Sequence, residues 1–281
     1  MMEKLKNYLA YFEPISVYYG IIYGITKIIE VSIGSETCFW ESVWHRILDI
    51  FGENEAFYTI VMTVYTFILY WVVGIIFLVI ERINNPLSEF KIQKKKGEIG
   101  EDGKIWEVVL INLRNQLLGV FIAVFMCYVC GNLMRIQIER EAPSFFVTIR
   151  NVIICCMCQE VLYYYVHRIL HHKYFYKYHK KHHEFKTPIC IVSMYASVVE
   201  YITADLFPVA AGVFLMKCHM SAVILYITLM TITTLNDHSG YHLPFLHSNE
   251  LHDFHHLKFN LNYSVYGYLD YLHGTYGHFE T

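Results

Sequence analysis

The sequence predicts an all-α integral membrane protein with about four spanning helices and a histidine-rich helical cap on one face. Three observations lead to this fold class. Hydrophobic residues make up 55% of the 281 residues and charged residues only 17%, which is far more apolar than an ordinary soluble domain. Long runs without charge recur along the chain. Finally, four closely spaced histidine groups lie between His167 and His256.

Long apolar runs predict the spanning helices. Residues 56–80 form an uncharged run of 25 residues, whereas a helix needs only about 20 to cross a bilayer. Two runs are interrupted by charge: 145–166 contains Arg150 and Glu160, and 189–216 contains Glu200 and Asp205. The remaining runs are 117–134 and 220–235. This pattern also allows an extra helix. It would be either an N-terminal helix at 15–33, spanning the membrane or lying at its interface, or a re-entrant helix.

The distribution of lysines predicts the orientation. Residues 82–104 carry five lysines, and loops rich in Lys and Arg stay on the cytoplasmic side. The next two helices would leave this face and return, placing His167 on it. Residues 189–235 would form a hairpin that turns at 217–219 and brings His238 back. All four histidine groups should therefore meet on the cytoplasmic face. We divide the chain into a membrane region, 1–144, and a histidine-bearing domain, 145–281.

The histidine spacing is typical of metal ligands. Spacings of three and four residues place side chains on one helix face, so each group can direct two or three imidazoles at one point. A structural zinc ion takes four ligands, and ten histidines suffice for two metal ions with open positions. Neutral imidazole suits iron, copper and zinc, and spacing does not separate iron from zinc. The ten are His167, His171, His179, His182, His183, His238, His242, His252, His255 and His256.

Other classes of function find little support in the sequence. The net charge of −3 gives no nucleic-acid signal. We find no Ser–His–Asp arrangement, phosphate-binding loop or nicotinamide fingerprint. The eight cysteines do not form the paired loops of zinc sites, and we expect them to be free and reduced.

Residues 167–277 resemble the fatty acid hydroxylase / sterol desaturase superfamily. The resemblance rests on HRILH at 167–171, YKYHKKHHE at 176–184, HSGY at 238–241 and HDFHH at 252–256. Two further strings, HLPFL at 242–246 and HLKFN at 256–260, resemble the fatty acid hydroxylase domain-containing proteins related to 4-methylsterol monooxygenase. The first 140 residues share only the presence of membrane helices.

The resemblance implies a membrane oxygenase with a cytosolic, histidine-bound dimetal centre. It implies two iron ions (zinc being possible in purified material), held by the ten histidines named above. Sterol oxidases often have Asp where this chain has His242. The implied reaction uses dioxygen to oxidise a lipid C–H bond in the endoplasmic reticulum membrane. NAD(P)H-derived electrons would come from a b-type cytochrome and its reductase.

The sequence leaves alternatives open for the substrate and for the activity itself. The resemblance favours a sterol 4-methyl group in sterol biosynthesis. Hydroxylation of fatty acyl, ceramide or alkyl lipids is the alternative, and a non-catalytic, zinc-containing lipid-binding membrane protein is a further one. Aromatic residues after the second histidine group, Tyr195, Tyr201 and Phe207, are the expected substrate-pocket residues.

Carboxylates near the histidines are candidates to orient the imidazoles. A metal-bound imidazole usually donates its other N–H to a carboxylate or a carbonyl. The candidates are Glu160, Glu184, Asp237, Asp253 and Asp270. His172 would point away from the face of its group. The other five histidines are expected to be ordinary surface or interface residues: His45, His219, His247, His273 and His278.

Overall fold

The computed structural model describes residues 39–83, 87–93, 102–130, 136–243 and 246–279. The predicted N-terminal helix at 15–33 lies outside these residues. The described part is mostly helical. Its α-helices are α1 (Phe39–Phe51), α2 (Glu55–Arg82), α3 (Asp102–Cys130), α4 (Phe145–Leu170), α5 (Tyr176–His179), α6 (Val198–Leu215), α7 (Met220–Asp237), α8 (Glu250–Lys258) and α9 (Tyr268–His273). Short 3₁₀ turns lie at Ser88–Phe90, His182–Glu184 and Cys190–Met194.

Five of the described helices are long and apolar enough to span a membrane, which confirms the predicted class of fold. They are Glu55–Arg82, Lys104–Met126, Phe145–Leu170, Val198–Leu215 and Met220–Asp237. The expected number was about four. All five apolar runs of the sequence overlap a helix of this kind, including the two helices of 18 residues each in the 189–235 hairpin. Large apolar side chains such as Leu117 and Phe121 are about two-thirds exposed, as lipid-facing residues would be.

Local signals explain where the helices begin and how closely they pack. The side chain of Asn54 accepts a hydrogen bond from the Phe57 N–H at the start of α2, and Ser144 caps α4 in the same way. These caps satisfy N–H groups that have no partner within the helix. Helices α4 and α6 approach closely at Gly212, where an added Cβ would lie 2.7 Å from Cα of Cys155. A larger residue at 212 would separate the two helices.

One end of the helix bundle carries both the histidine groups and the segment that follows α2, as the sequence predicted. At the histidine end, the segment after α2 contacts the segment after α7: Ile92 N–H donates to the Gly240 carbonyl and His242 N–H to that of Phe90. At the opposite end, Met220 N–H donates to the Gln137 carbonyl. The described part of the lysine-rich segment and the histidine groups therefore lie at the same end.

Helix α6 contains a π-helical turn at Tyr201–Leu206. The Phe207 N–H donates to the carbonyl of Ile202, five residues earlier, instead of four as in an α-helix. Such π turns occur frequently at functional sites. This one lies just after Glu200 and contains Asp205, the two carboxylates that interrupt the apolar run.

Candidate metal centre

Four segments bring the histidines together at one end of the bundle. His167 lies in the last turn of α4, and His171 follows directly as its C-terminal cap. His179 ends the short helix α5. His238 is the C-terminal cap of α7. The remaining residues lie on the 3₁₀ turn after α5 (His182 and His183) and on α8 (His252, His255 and His256).

Nine of the ten predicted histidines form two clusters, each with its ligand atoms within 4.8 Å of one another. We call them the five-histidine cluster and the four-histidine cluster. The first contains His167, His171, His179, His183 and His255, and the second contains His182, His238, His252 and His256. Each cluster therefore draws its members from at least three segments that are distant in the sequence.

Backbone carbonyls hold four of these imidazoles through Nδ1. His167 donates to the carbonyl of Tyr263 at 2.7 Å and His255 to that of Leu261 at 2.5 Å. The same contact orients His238 on Thr234 O at 2.8 Å and His256 on Phe185 O at 3.0 Å. A carbonyl only accepts, so the proton must lie on Nδ1. The unprotonated Nε2 of each ring is then free to bind a metal ion.

A strained loop after α8 supplies two of these carbonyls. Asn262 has a φ of 56°, a conformation that Asn adopts more readily than most residues. Its side-chain amide donates to the carbonyls of Leu251 at 3.0 Å and Gly277 at 2.8 Å. These bonds fix the turn between Leu261 and Tyr263, and with it the carbonyls that orient His255 and His167.

The distances between Nε2 atoms fit a shared cation. In the five-histidine cluster, Nε2 of His179 lies 3.0 Å from Nε2 of His167 and 2.9 Å from Nε2 of His183. In the four-histidine cluster, the Nε2 atoms of His238 and His252 are 2.9 Å apart. Two nitrogens at about 2.1 Å from one metal ion and about 90° apart are separated by roughly 3.0 Å. When neutral rings are protonated on Nδ1, the lone pairs of their Nε2 atoms repel each other at this distance. A metal ion between them removes that repulsion.

Burial prepares the imidazoles for metal binding and favours their neutral form. Nε2 of His256 is buried without a hydrogen-bond partner in the described residues. Burial lowers the pKa of His171 to about 2 and that of His183 well below its usual value, because a buried charge is poorly solvated. Five imidazoles in one cluster also exceed the four ligands of a structural zinc ion. The residues present fit two transition-metal ions.

Among the described residues, Glu200 is the carboxylate that contacts the imidazoles of the clusters, and it was not among the carboxylates predicted from the sequence. Its Oε1 lies 2.7 Å from Nδ1 of His179 and 3.9 Å from Nδ1 of His182. Glu200 is buried in the first turn of α6, where its N–H donates to the Ser197 side chain. A carboxylate inside an otherwise apolar spanning run was the signal that could have identified it.

The five predicted carboxylates lie near the site, but none has a hydrogen bond to a cluster imidazole among the described residues. Glu160 accepts from the N–H groups of Val265 and Tyr266, and Asp270 accepts from those of Tyr263 and Ser264. These two therefore hold the loop that carries Tyr263. Asp237 pairs with His247, Asp253 accepts from Gln93, and Glu184 accepts from Tyr195.

The structure does not bring His242 to either cluster. Its Nδ1 lies 2.8 Å from Glu250, and both side chains are 45% exposed. The hydrogen bond to Glu250 raises the pKa of His242, which is unfavourable for a neutral metal ligand. The reason is the turn after His238: the backbone of residues 239–242 leaves the helical path of α7, so the four-residue spacing no longer places both rings on one face.

A mostly apolar cavity of about 710 Å³ extends from the histidines into the helix bundle. Its histidine end includes His167, His179, His182, His238 and His252. Its walls come mainly from the spanning helices α2, α3, α4, α6 and α7. Its volume falls within the range of ligand pockets, roughly 300–1,000 Å³.

Of the three predicted pocket residues, one lines this cavity and two do not. Tyr201 lines it. Tyr195 is instead buried against Phe185 and donates to Glu184, and Phe207 is 53% exposed on α6. The π turn explains the difference at Phe207, because the extra residue per turn rotates the positions that follow it.

Comparisons with known proteins cover the part of the chain that carries the histidine clusters. The sequence profile of the fatty acid hydroxylase family matches residues 152–275, which include all nine clustered histidines. Human fatty acid hydroxylase domain-containing protein 2 is 37% identical over 246 residues, which cover 86% of this chain and 74% of that protein. This chain belongs to the fatty acid hydroxylase family.

Members of the family with different named activities are also similar to this chain. Methylsterol monooxygenase 1 of Rattus norvegicus is 30% identical over 200 residues, 67% of each chain. Very-long-chain aldehyde decarbonylase GL1-8 of Oryza sativa subsp. indica is 28% identical over 252 residues, covering 84% of this chain and 90% of that protein. No solved structure matches significantly. The protein is thus a multi-pass membrane oxidoreductase of a lipid-oxidising family.

Proposed function

We propose that this protein is a diiron lipid monooxygenase that oxidises a C–H bond of a lipid held in the membrane. The observation that carries the proposal is the continuity between two imidazole clusters and an apolar cavity inside the bundle. A lipid can enter such a cavity without crossing water, where burial of apolar area worth roughly 25 cal/mol per Å² would be lost.

The residues of the chain have distinct parts in this reaction. The nine clustered histidines would hold two iron ions, which supply the activation of dioxygen and the oxidising chemistry. Glu200 and the carbonyls of Tyr263, Leu261, Thr234 and Phe185 orient the rings. The apolar walls of the cavity exclude water and keep the lipid against the histidine end.

A sterol 4-methyl group is the substrate that we favour. Support comes from the similarity to the rat methylsterol monooxygenase and from the HLPFL and HLKFN strings. Fatty acyl, ceramide or alkyl-lipid hydroxylation is the second candidate, and the family description favours it. Both substrates suit an elongated apolar cavity, so the experiment must compare them directly.

The cellular setting belongs to the same proposal. We place the protein in the endoplasmic reticulum membrane with the clusters facing the cytosol, because the histidine end also carries exposed Lys173, Lys177 and Lys180. Electrons derived from NAD(P)H would arrive through a b-type cytochrome and its reductase. We infer separate donors because the chain shows no nicotinamide fingerprint.

The test is deletion of the gene in its own host, followed by profiling of sterols and sphingolipids together. A 4-methylsterol oxidase predicts accumulation of 4-methylated sterols and a fall in the demethylated products. Unchanged sterols with loss of hydroxylated acyl or alkyl lipids would select the second candidate.

A complementation experiment distinguishes the enzyme from a non-catalytic, zinc-containing lipid-binding protein. Wild type and His273→Ala should restore the lipid profile, whereas His182→Ala should not. His273 contacts Tyr165 and lies outside both clusters. Restoration by His182→Ala, together with no substrate-dependent dioxygen uptake by the purified protein, would contradict the enzymatic proposal.

A further inference from the structure

Asp205 presents a carboxylate to the apolar cavity although it belongs to neither histidine cluster. It lines the cavity, and its Oδ2 is buried without a hydrogen-bond partner in the described residues. An unsatisfied carboxyl oxygen in apolar surroundings costs free energy. Ionisable residues within membrane helices commonly mark sites of function. The ligand of the cavity is therefore the natural source of a partner for Asp205.

The π turn of α6 explains how Asp205 reaches the cavity. Five residues along an α-helix correspond to a rotation of about 500°, which would leave Asp205 roughly 140° away from Glu200. In a π turn, residues five apart lie nearly one above the other. Glu200 and Asp205 both line the cavity as a result. Asp205 therefore lies about one helical turn further from the histidine end along the helix.

The two carboxylates have different partners. Glu200 is bound through Oε1 to His179, so it belongs to the metal centre. On the same helix, the cavity around Asp205 is lined by the apolar side chains of Ala204, Leu206 and Val209 and by the aromatic side chain of Tyr201. Asp205 is thus a polar position set into an apolar wall, in the arrangement by which pockets fix the orientation of a ligand.

We propose that Asp205 is a specificity-determining residue that accepts a hydrogen bond from a hydroxyl group of the lipid substrate. The substrate class is then a lipid alcohol, such as a sterol or a ceramide. This inference rests on the proposed lipid oxidation and deepens it by naming the polar group of the substrate.

The test compares matched lipids on the purified full-length protein in detergent. The probes are a 3-hydroxysterol and the same sterol with hydrogen at carbon 3, each measured by displacement of the radiolabelled hydroxysterol. Wild type should bind the hydroxysterol roughly tenfold more tightly or better, as expected when a buried polar group loses its partner. Asp205→Leu should bind both sterols equally, and Asp205→Asn should show a reduced preference.

Thr203→Val is the matched control. Thr203 lies on the same π turn, but its hydroxyl donates to the carbonyl of Val199 and it does not line the cavity. This variant should keep the wild-type preference. Equal binding of the two sterols by wild type, no binding of either, or a preference that persists in Asp205→Leu would overturn the inference. Should Asp205→Leu fail to fold, the wild-type and Asp205→Asn comparison decides.

Dioxygen uptake, measured separately with the same lipids, distinguishes failure of this inference from failure of the proposed function. A hydroxyl preference that depends on Asp205, without uptake on any lipid, would support the binding role and contradict the oxidation. Uptake with both sterols at equal affinity would support the oxidation and contradict the role of Asp205.

Discussion

The carboxylate of Glu200 lies 2.7 Å from Nδ1 of His179, although 21 residues separate them in the sequence. Both side chains are buried. The contact joins the first turn of a membrane-spanning helix to the histidine cap above it. A carboxylate on Nδ1 of a metal-bound imidazole fixes the ring and increases its basicity. The membrane helix thereby acts on the candidate metal centre through one side chain.

We expect Glu200→Gln to weaken metal binding by roughly 10–100-fold, because the amide has no charge to support the His179 ring. Metal affinity measured by competition with a graded chelator checks this. Glu184→Gln is the control, since Glu184 contacts Tyr195 and Lys104 but no imidazole in the described part of the chain. Equal effects of the two substitutions would show that Glu200 has no special relation to the centre.

Removing one imidazole from either cluster should weaken the binding of the metal ion at that cluster and leave the other ion bound. His255→Ala should disrupt the five-histidine cluster and His182→Ala the four-histidine cluster. Each variant should therefore retain about one of about two metal ions per chain and lose activity, while still inserting into the membrane. Elemental analysis of the purified proteins gives the counts. Wild-type metal content and turnover in either variant would refute the ligand assignment.

His242→Ala should retain the wild-type metal content. Its imidazole is paired with Glu250 at the surface, so the substitution removes an exposed ion pair worth about 0–1 kcal/mol of folding free energy. Metal analysis and a thermal unfolding curve check both points. Loss of one metal ion in this variant would restore the ligand role that the four-residue spacing suggested.

Asp270→Asn should destabilise the protein by roughly 2–4 kcal/mol, because a neutral amide cannot accept all the hydrogen bonds that this buried carboxylate receives. Two come from the backbone N–H groups of Tyr263 and Ser264, both at 2.8 Å. Since the Tyr263 carbonyl orients His167, metal affinity should fall as well. Unfolding and metal titration should be measured together.

Asp253→Asn is the control for this variant. Asp253 is equally buried, but among the described residues its carboxylate accepts a hydrogen bond from Gln93 at 2.9 Å, and an amide oxygen can accept that bond as well. We expect a smaller loss of stability there. A comparable loss in both variants would show that burial alone, rather than support of the Tyr263 loop, explains the effect.

Elements defined by local pattern were predicted well. The uncharged run at 56–80 and the run at 220–235 correspond to α2 and α7, because a long apolar helix is specified by the residues it contains. The meeting of the histidines at one end followed from counting helices and their directions. The π turn was not predictable in this way, and the misplacement of Phe207 followed from it.

The assignment of carboxylates failed for a related reason. Proximity in the sequence selected Glu184, Asp237 and Asp253, which lie beside histidines along the chain but bond elsewhere. Glu200 was noted as an interruption of an apolar run, without a role. Which carboxylate meets an imidazole depends on the packing of α6 against the cap, and the sequence near the histidines carries no information about that packing.

The sequence by itself determined the membrane class, the helical fold and a set of ten candidate histidines that includes all nine clustered ones, because hydropathy and side-chain spacing are local properties. Only the tertiary structure decided how those nine divide into two clusters, that His242 is excluded and that Glu200 and Asp205 face one cavity. These features depend on contacts between residues far apart in the chain. Such contacts depend on how closely α4, α6 and α7 pack against one another and on the turns that follow these helices.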